Sequence, residues 1–115
     1  MTTKRHRDVI KNQSMPKALL IVYATIDPAV EKEWNEWYDK EHLPEILACP
    51  QFERGARYLS DDGGSRKYLT VYHLSSEDAV TTPEFLRARG WAKFAARVQS
   101  STRVYKLTGR GAHAR

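Results

Sequence analysis

The chain has 115 residues, 41% of them hydrophobic and 29% charged, with one cysteine and a net charge of +5. That composition fits one soluble domain, and it leaves no partner for an internal disulfide or a paired-cysteine zinc or redox site. The positive charge lies in the tails, with +4 over residues 1–17, +2 over 109–115 and about −1 between them, so no basic folded face is expected and nucleic acid is not an expected partner.

Residues 1–17 are polar, charged and without periodicity, and read as a disordered basic tail. Met15 before Pro16 offers a second point at which translation starts. Ala18 to Ile26 is a near-continuous apolar run rich in β-branched residues and predicts a strand. It is the longest apolar run and far short of the ~20 residues that span a bilayer, so no membrane association is expected. Asp27-Pro28 then supplies an N-cap and a first-turn proline for a helix running to about Leu43, with room for one more turn beyond Pro44. At 100° per residue Val30, Trp34, Trp37 and Tyr38 form its apolar stripe.

Gln51 to Leu59 predicts a second strand, Asp61-Asp62-Gly63-Gly64 a tight hairpin, and Lys67 to Leu74 a third strand with clear alternation. Thr82-Pro83-Glu84 opens a second helix through about Val98, with Gly90 as its weak point, and Arg103 to Leu107 closes as a fourth strand. Residues 18–108 thus form one domain, and 109–115 a flexible tail. The order predicts an α+β, ferredoxin-like βαββαβ fold, a four-stranded antiparallel sheet with two helices on one face. Alternation assigns Ile21, Tyr23, Tyr68, Tyr72 and Tyr105 to the uncovered face. Pairing two such aromatic faces across a two-fold axis closes a barrel-like interior, so a homodimer is expected.

The run Trp37-Tyr38-Asp39-Lys40-Glu41-His42-Leu43-Pro44, with Cys49-Pro50-Gln51-Phe52, Arg57-Tyr58 and Tyr68-Leu69-Thr70-Val71-Tyr72, resembles the EthD-like branch of the dimeric α+β barrel proteins. Gln51 stands where such proteins tend to carry the glycine of a proline-glycine-phenylalanine turn, which leaves the geometry of that turn open. The resemblance implies a dimer with a cleft between helices and sheet. Relatives in the wider superfamily include isomerases, cyclases, cofactor-free monooxygenases and haem-binding proteins, so it implies architecture more firmly than reaction.

His42 is the first candidate for chemistry, 80° around the helix from Trp34 on the border of the aromatic stripe. Asp39, three residues earlier, can meet it on one face and hold its ring, and Tyr38 can stabilise a developing enolate oxygen. The plainer reading makes His42 a cap for carbonyls freed by Pro44. Glu41 falls at the centre of the stripe, either as a structural ion pair with Arg57 or Arg54 or as a second acid/base group. Trp34, Trp37, Tyr23, Tyr58 and Tyr72 are candidates to line a substrate pocket, against the alternative of core or interface. The histidines show no metal-ligand spacing and no phosphate loop is present, so neither metal nor cofactor is expected.

The function expected is cofactor-independent acid/base catalysis, of isomerase, cyclase or lyase type, on an apolar, aromatic or polyketide-like carbonyl compound. The alternatives are a non-catalytic binder of a hydrophobic small molecule, and a haem-binding or cofactor-free monooxygenase member of the superfamily. A lone cysteine fits a cytoplasmic protein.

Overall fold

β1, Ala18–Ile26, forms where the apolar run predicts it. The computed structural model describes residues 15–114; of the tail expected to be disordered over residues 1–17, residues 1–14 lie outside them, and the Lys17 carbonyl accepts from the Leu107 amide at 2.9 Å. β2 (Phe52–Ser60), β3 (Lys67–Leu74) and β4 (Val98–Lys106) complete a sheet of order β2-β3-β1-β4 in which every neighbouring pair is antiparallel. Helical segments pack on one face, as the ferredoxin-like reading requires. Among the described residues no helix is long and apolar enough to cross a membrane.

The first helical layer is one rod with a change of pitch. A 3₁₀ turn at Pro28–Val30, capped by the Asp27 side chain, leads into α1, Glu31–Trp37. A π turn follows over Tyr38–His42, and α2, Leu43–Leu47, ends the rod. The second layer departs from the expected long helix. α3 covers only Pro83–Ala88, the chain bends at Gly90 with φ of 111°, and a 3₁₀ segment at Ala92–Arg97 runs directly into β4. That φ is comfortable for glycine alone, and it ends the helix where the sequence had only a weak point. β4 therefore starts five residues before the expected Arg103.

Register decides which side chains meet the helices. Ala18, Leu20, Val22 and Ala24 of β1 face them, opposite Leu74, Tyr72, Thr70 and Tyr68 of β3. Tyr68 and Tyr72 are thus buried beneath the helices, not on the uncovered face as alternation had assigned them. Ile21, Tyr23 and Tyr105 do lie on that face, joined by Leu19, Leu69 and Val71. A bulge between Phe52 and Arg54 shifts β2 by one residue. Gly55 and Arg57 consequently point toward the helices, and Tyr58 points away.

Two backbone details hold this layer. A Cβ at Gly55 would sit 2.9 Å from the Tyr72 ring, so glycine is what lets that ring lie flat against β2. Gln51 adopts φ of 69°, the left-handed conformation of the glycine it replaces, and its carbonyl accepts from the Ser75 amide at 3.0 Å. The turn geometry is kept, at the cost of a side chain in a region that L-residues avoid. Gln51→Gly is expected to raise unfolding free energy by about 1 kcal/mol in urea denaturation.

Candidate active site

The π turn determines what the first helix presents to the sheet. Pro44 has no N–H for the Lys40 carbonyl, and the Leu43 amide reaches back five residues to Tyr38. One extra residue in the turn moves everything after it back by one position. The inward place that an α-helix would give Glu41 goes to His42, which is 5% exposed, and Glu41 faces solvent. The expectation of Glu41 at the centre of the stripe is therefore corrected. The widened turn also aligns residues five apart: the His42 ring stacks on Trp37 at 4.6 Å with 13° between planes.

The same change separates Asp39 from His42. Asp39 instead accepts from Arg57 at 2.7 Å, and Arg57 also donates to the Asn35 side chain at 2.7 Å. The Arg57 guanidinium lies nearly buried over the Tyr38 ring at 4.2 Å, a cation–π contact inside the helix–sheet layer. The carboxylate that faces His42 is Glu45, 3.7 Å from Nδ1. That is too far for a hydrogen bond, so Nδ1 is buried without a partner while Glu45 acts as a nearby charge.

Between these helices and the sheet lies a cavity of about 490 Å³. His42, Tyr38 and Ile46 form its roof, Tyr72, Leu20 and Val22 its floor. Ser100, Thr102 and Val104 of β4 close one side, and the Arg89-Gly90-Trp91 bend the other. Tyr38 spends its hydroxyl on Thr70 Oγ1 at 2.8 Å, whereas the Tyr72 hydroxyl is buried with no partner. A second recess of about 390 Å³ lies outside His42 and is lined by Trp37, Glu41, Glu45, Arg87 and Arg89. A wider groove of about 640 Å³ on the outer face of α1 is lined by polar groups already engaged, Glu31 with Arg66, and Asn35 and Asp39 with Arg57.

Burial sets the protonation of this site. It lowers the His42 pKa from its ordinary 6.5, with the Glu45 charge opposing and the more distant Arg57 reinforcing the shift. The ring is therefore neutral at pH 7, the state a base needs. Burial raises the pKa of Tyr38, and burial with the adjacent Tyr38 hydroxyl raises that of Tyr72. Both phenols stay protonated and able to donate.

Of the residues singled out from sequence, His42, Tyr38 and Tyr72 meet in the cavity, and Trp37 backs His42 from the outer recess. Trp34 is fully buried in the core beside it, edge-on to Tyr38 at 5.5 Å. Tyr23 and Tyr58, 45% and 58% exposed, lie on the opposite face of the sheet and do not line it. Sequence reasoning missed Trp91, which donates from Nε1 to Ser100 at 2.9 Å and packs 5.7 Å from the His42 ring. The signal was Gly90 read as a helix end instead of a flaw within a helix. Among the described residues no cluster of three metal-ligating side chains occurs.

Residues 17–106 match the family described as "Domain of unknown function (DUF4286)", and the chain belongs to that family. The fold is shared with an EthD family protein from Bacillus halodurans, at 9% identity and a TM-score of 0.61, covering 79% of this chain and 99% of that one. It is shared equally with SnoaB, a cofactor-independent oxygenase from Streptomyces nogalater, at 17% identity and a TM-score of 0.59, covering 82% and 95%. These likenesses show the ferredoxin-like α+β fold of one subunit, which the sequence predicts. No curated protein matches the chain in sequence.

A buried neutral histidine makes stability depend on pH. Its folded-state pKa lies below 6.5, so the unfolded chain binds the proton more readily and stability falls as pH drops below about 6.5. The slope cannot exceed about 1.4 kcal/mol per pH unit for one group. Urea denaturation between pH 7.5 and 5 is expected to show this loss in the wild type and a flatter profile in His42→Gln.

Proposed function

We propose that this protein is an enzyme that removes a proton from a carbon next to a carbonyl in a small aromatic or polyketide-like compound, using its own side chains as acid and base. The observation that carries this reading is His42: a neutral imidazole in the roof of an apolar cavity, fixed by stacking on Trp37, with no hydrogen bond to satisfy it. A structural histidine would normally have found a partner for its buried nitrogen.

The chemistry follows from the placement. A flat, apolar compound fits between the Leu20–Val22 floor and the His42 roof, against Trp91 and Phe85. His42 takes the proton, and the unpartnered Tyr72 hydroxyl donates to the enolate oxygen that forms. The imidazolium then faces Glu45, which takes the part expected of Asp39. Tyr38 stays tied to Thr70 through its own hydroxyl. The enolate can return its proton elsewhere, which is isomerisation, lose a leaving group, or react with oxygen. The shared fold of a protein described as a cofactor-independent oxygenase supports the last route.

Anthrone is a suitable probe, having acidic hydrogens opposite its carbonyl. Exchange of those hydrogens in D₂O, followed by proton NMR, is expected to accelerate with the wild type. His42→Gln should lose about 10²–10⁴-fold and Tyr72→Phe about 10²-fold. An unchanged rate in His42→Gln would remove the histidine from the reaction. Oxygen uptake in the same samples separates oxygenation from isomerisation.

We also propose that the uncovered face pairs with a second copy. Tyr23, Tyr58 and Tyr105 are each more than 40% exposed there, around the half-buried Leu19, Leu69 and Val71, a larger apolar surface than a monomer normally keeps. Sedimentation equilibrium is expected to give twice the chain mass for the wild type and a monomer for Val71→Lys.

A further inference from the structure

The mouth of the cavity carries a cation with no ion-pair partner among the described residues. Arg57, Arg66 and Arg97 each pair with a carboxylate within 3.2 Å. Arg89 is exposed, lines both the inner cavity and the outer recess, and has no ion-pair partner among the described residues. Its position after α3 suits a charge that complements the helix dipole, but Arg87 already stands in the last turn and lines only the outer recess. Arg103 borders the cavity along β4, yet its register opposite Ile21 sends its side chain to the uncovered face, where its charge acts on Tyr23. Among the described residues Arg89 is therefore the unpaired permanent positive charge that lines this apolar space and whose place in the fold does not turn it to the other face.

The bend holds it there. Gly90 at φ 111° and Ala92 at φ 50° turn the chain so that Arg89 and Trp91 flank the same opening. Trp91 is pinned to Ser100 on the far wall and touches the His42 ring. An arginine on one side of the opening and an anchored indole on the other make a rim with a charged and an aromatic edge. The outer recess could compete for an anion, but it contains Glu41 and Glu45, whose charges disfavour one.

We infer that the ligand of this cavity carries a carboxylate, which Arg89 binds at the mouth while the ring system enters beneath His42. The inference rests on the reading of this cavity as the substrate site. A guanidinium suits a carboxylate because it donates two parallel N–H bonds, and an exposed pair of this kind is worth a modest factor, screened by salt. The substrate class is accordingly an aromatic or polyketide-like carbonyl acid, not a neutral quinol.

Calorimetric titration with 2-naphthoate and with 2-naphthamide, its neutral counterpart of the same shape, tests this. At low ionic strength naphthoate is expected to bind about 2–5-fold more tightly, with the preference shrinking in 0.5 M salt. Arg89→Gln should abolish the preference, bringing naphthoate affinity to that of naphthamide; Arg89→Lys should keep part of it. Equal affinities in the wild type, or a preference that survives in Arg89→Gln, would overturn the inference while leaving the cavity as a binding site. Binding of neither compound would overturn both. Thermal unfolding of Arg89→Gln, an exposed position, checks that the fold is intact.

Discussion

A missing hydrogen governs the site. Because Pro44 offers no amide to the turn before it, the first helix widens into a π turn, and a residue that α-helical spacing would leave on the border of the apolar stripe becomes its centre. That residue is His42. The stack on Trp37, the distance from Asp39, the approach of Glu45 and the exposure of Glu41 all follow from one extra residue in one turn. A helix with a good hydrogen-bonding residue in place of proline would present a glutamate to the cavity and turn the histidine aside.

The aromatic density around this turn is held by charge as well as by area. Arg57 reaches the layer only because the bulge in β2 turns it inward, and once there it lies over Tyr38 and within 5.4 Å of the Trp34 and Tyr68 rings. A buried guanidinium is costly unless it is paired. Here Asp39 and Asn35 take two of its nitrogens, and the ring faces stabilise the remainder. Asp39, the apparent partner of the histidine in sequence, is thus spent on keeping an arginine inside the fold. A similar tie joins Tyr68, whose hydroxyl donates to Glu31, to the start of α1. The rod is fastened to the sheet at both ends of α1, which leaves the π turn fixed in position over the floor.

Much of this was legible in sequence, and the exceptions share a cause. β1 and β3 appear at their expected residues because apolar runs and period-two alternation are carried by local sterics and burial. The ferredoxin-like order followed from them. What failed were inferences that extrapolate one period across an irregularity: through the π turn for Glu41 and Asp39, and through Gly90 for the second helix and Trp91. Tyr68 and Tyr72 went to the wrong face for a different reason. In a sheet with aromatics on both sides, alternation shows that two sets exist without saying which set the helices cover, and only the register with β1 decides.

The neutral histidine raises a tension that the arrangement resolves. A base must be uncharged before reaction and comfortable with charge afterwards, and burial serves the first need while opposing the second. A carboxylate bonded directly to Nδ1 would reverse the balance, raising the pKa and making the ring harder to use as a base near neutrality only by half-protonating it in advance. Glu45 stands between these extremes, 3.7 Å away and 58% exposed in its side chain. Water screens it while the ring is neutral, so the lowering of the His42 pKa by burial prevails. When the ring gains a proton the same carboxylate is within a small rotation of a charge-assisted bond to Nδ1. Burial and a screened acid thus act on one ring with opposite sign, and which of them prevails depends on whether the ring carries its proton.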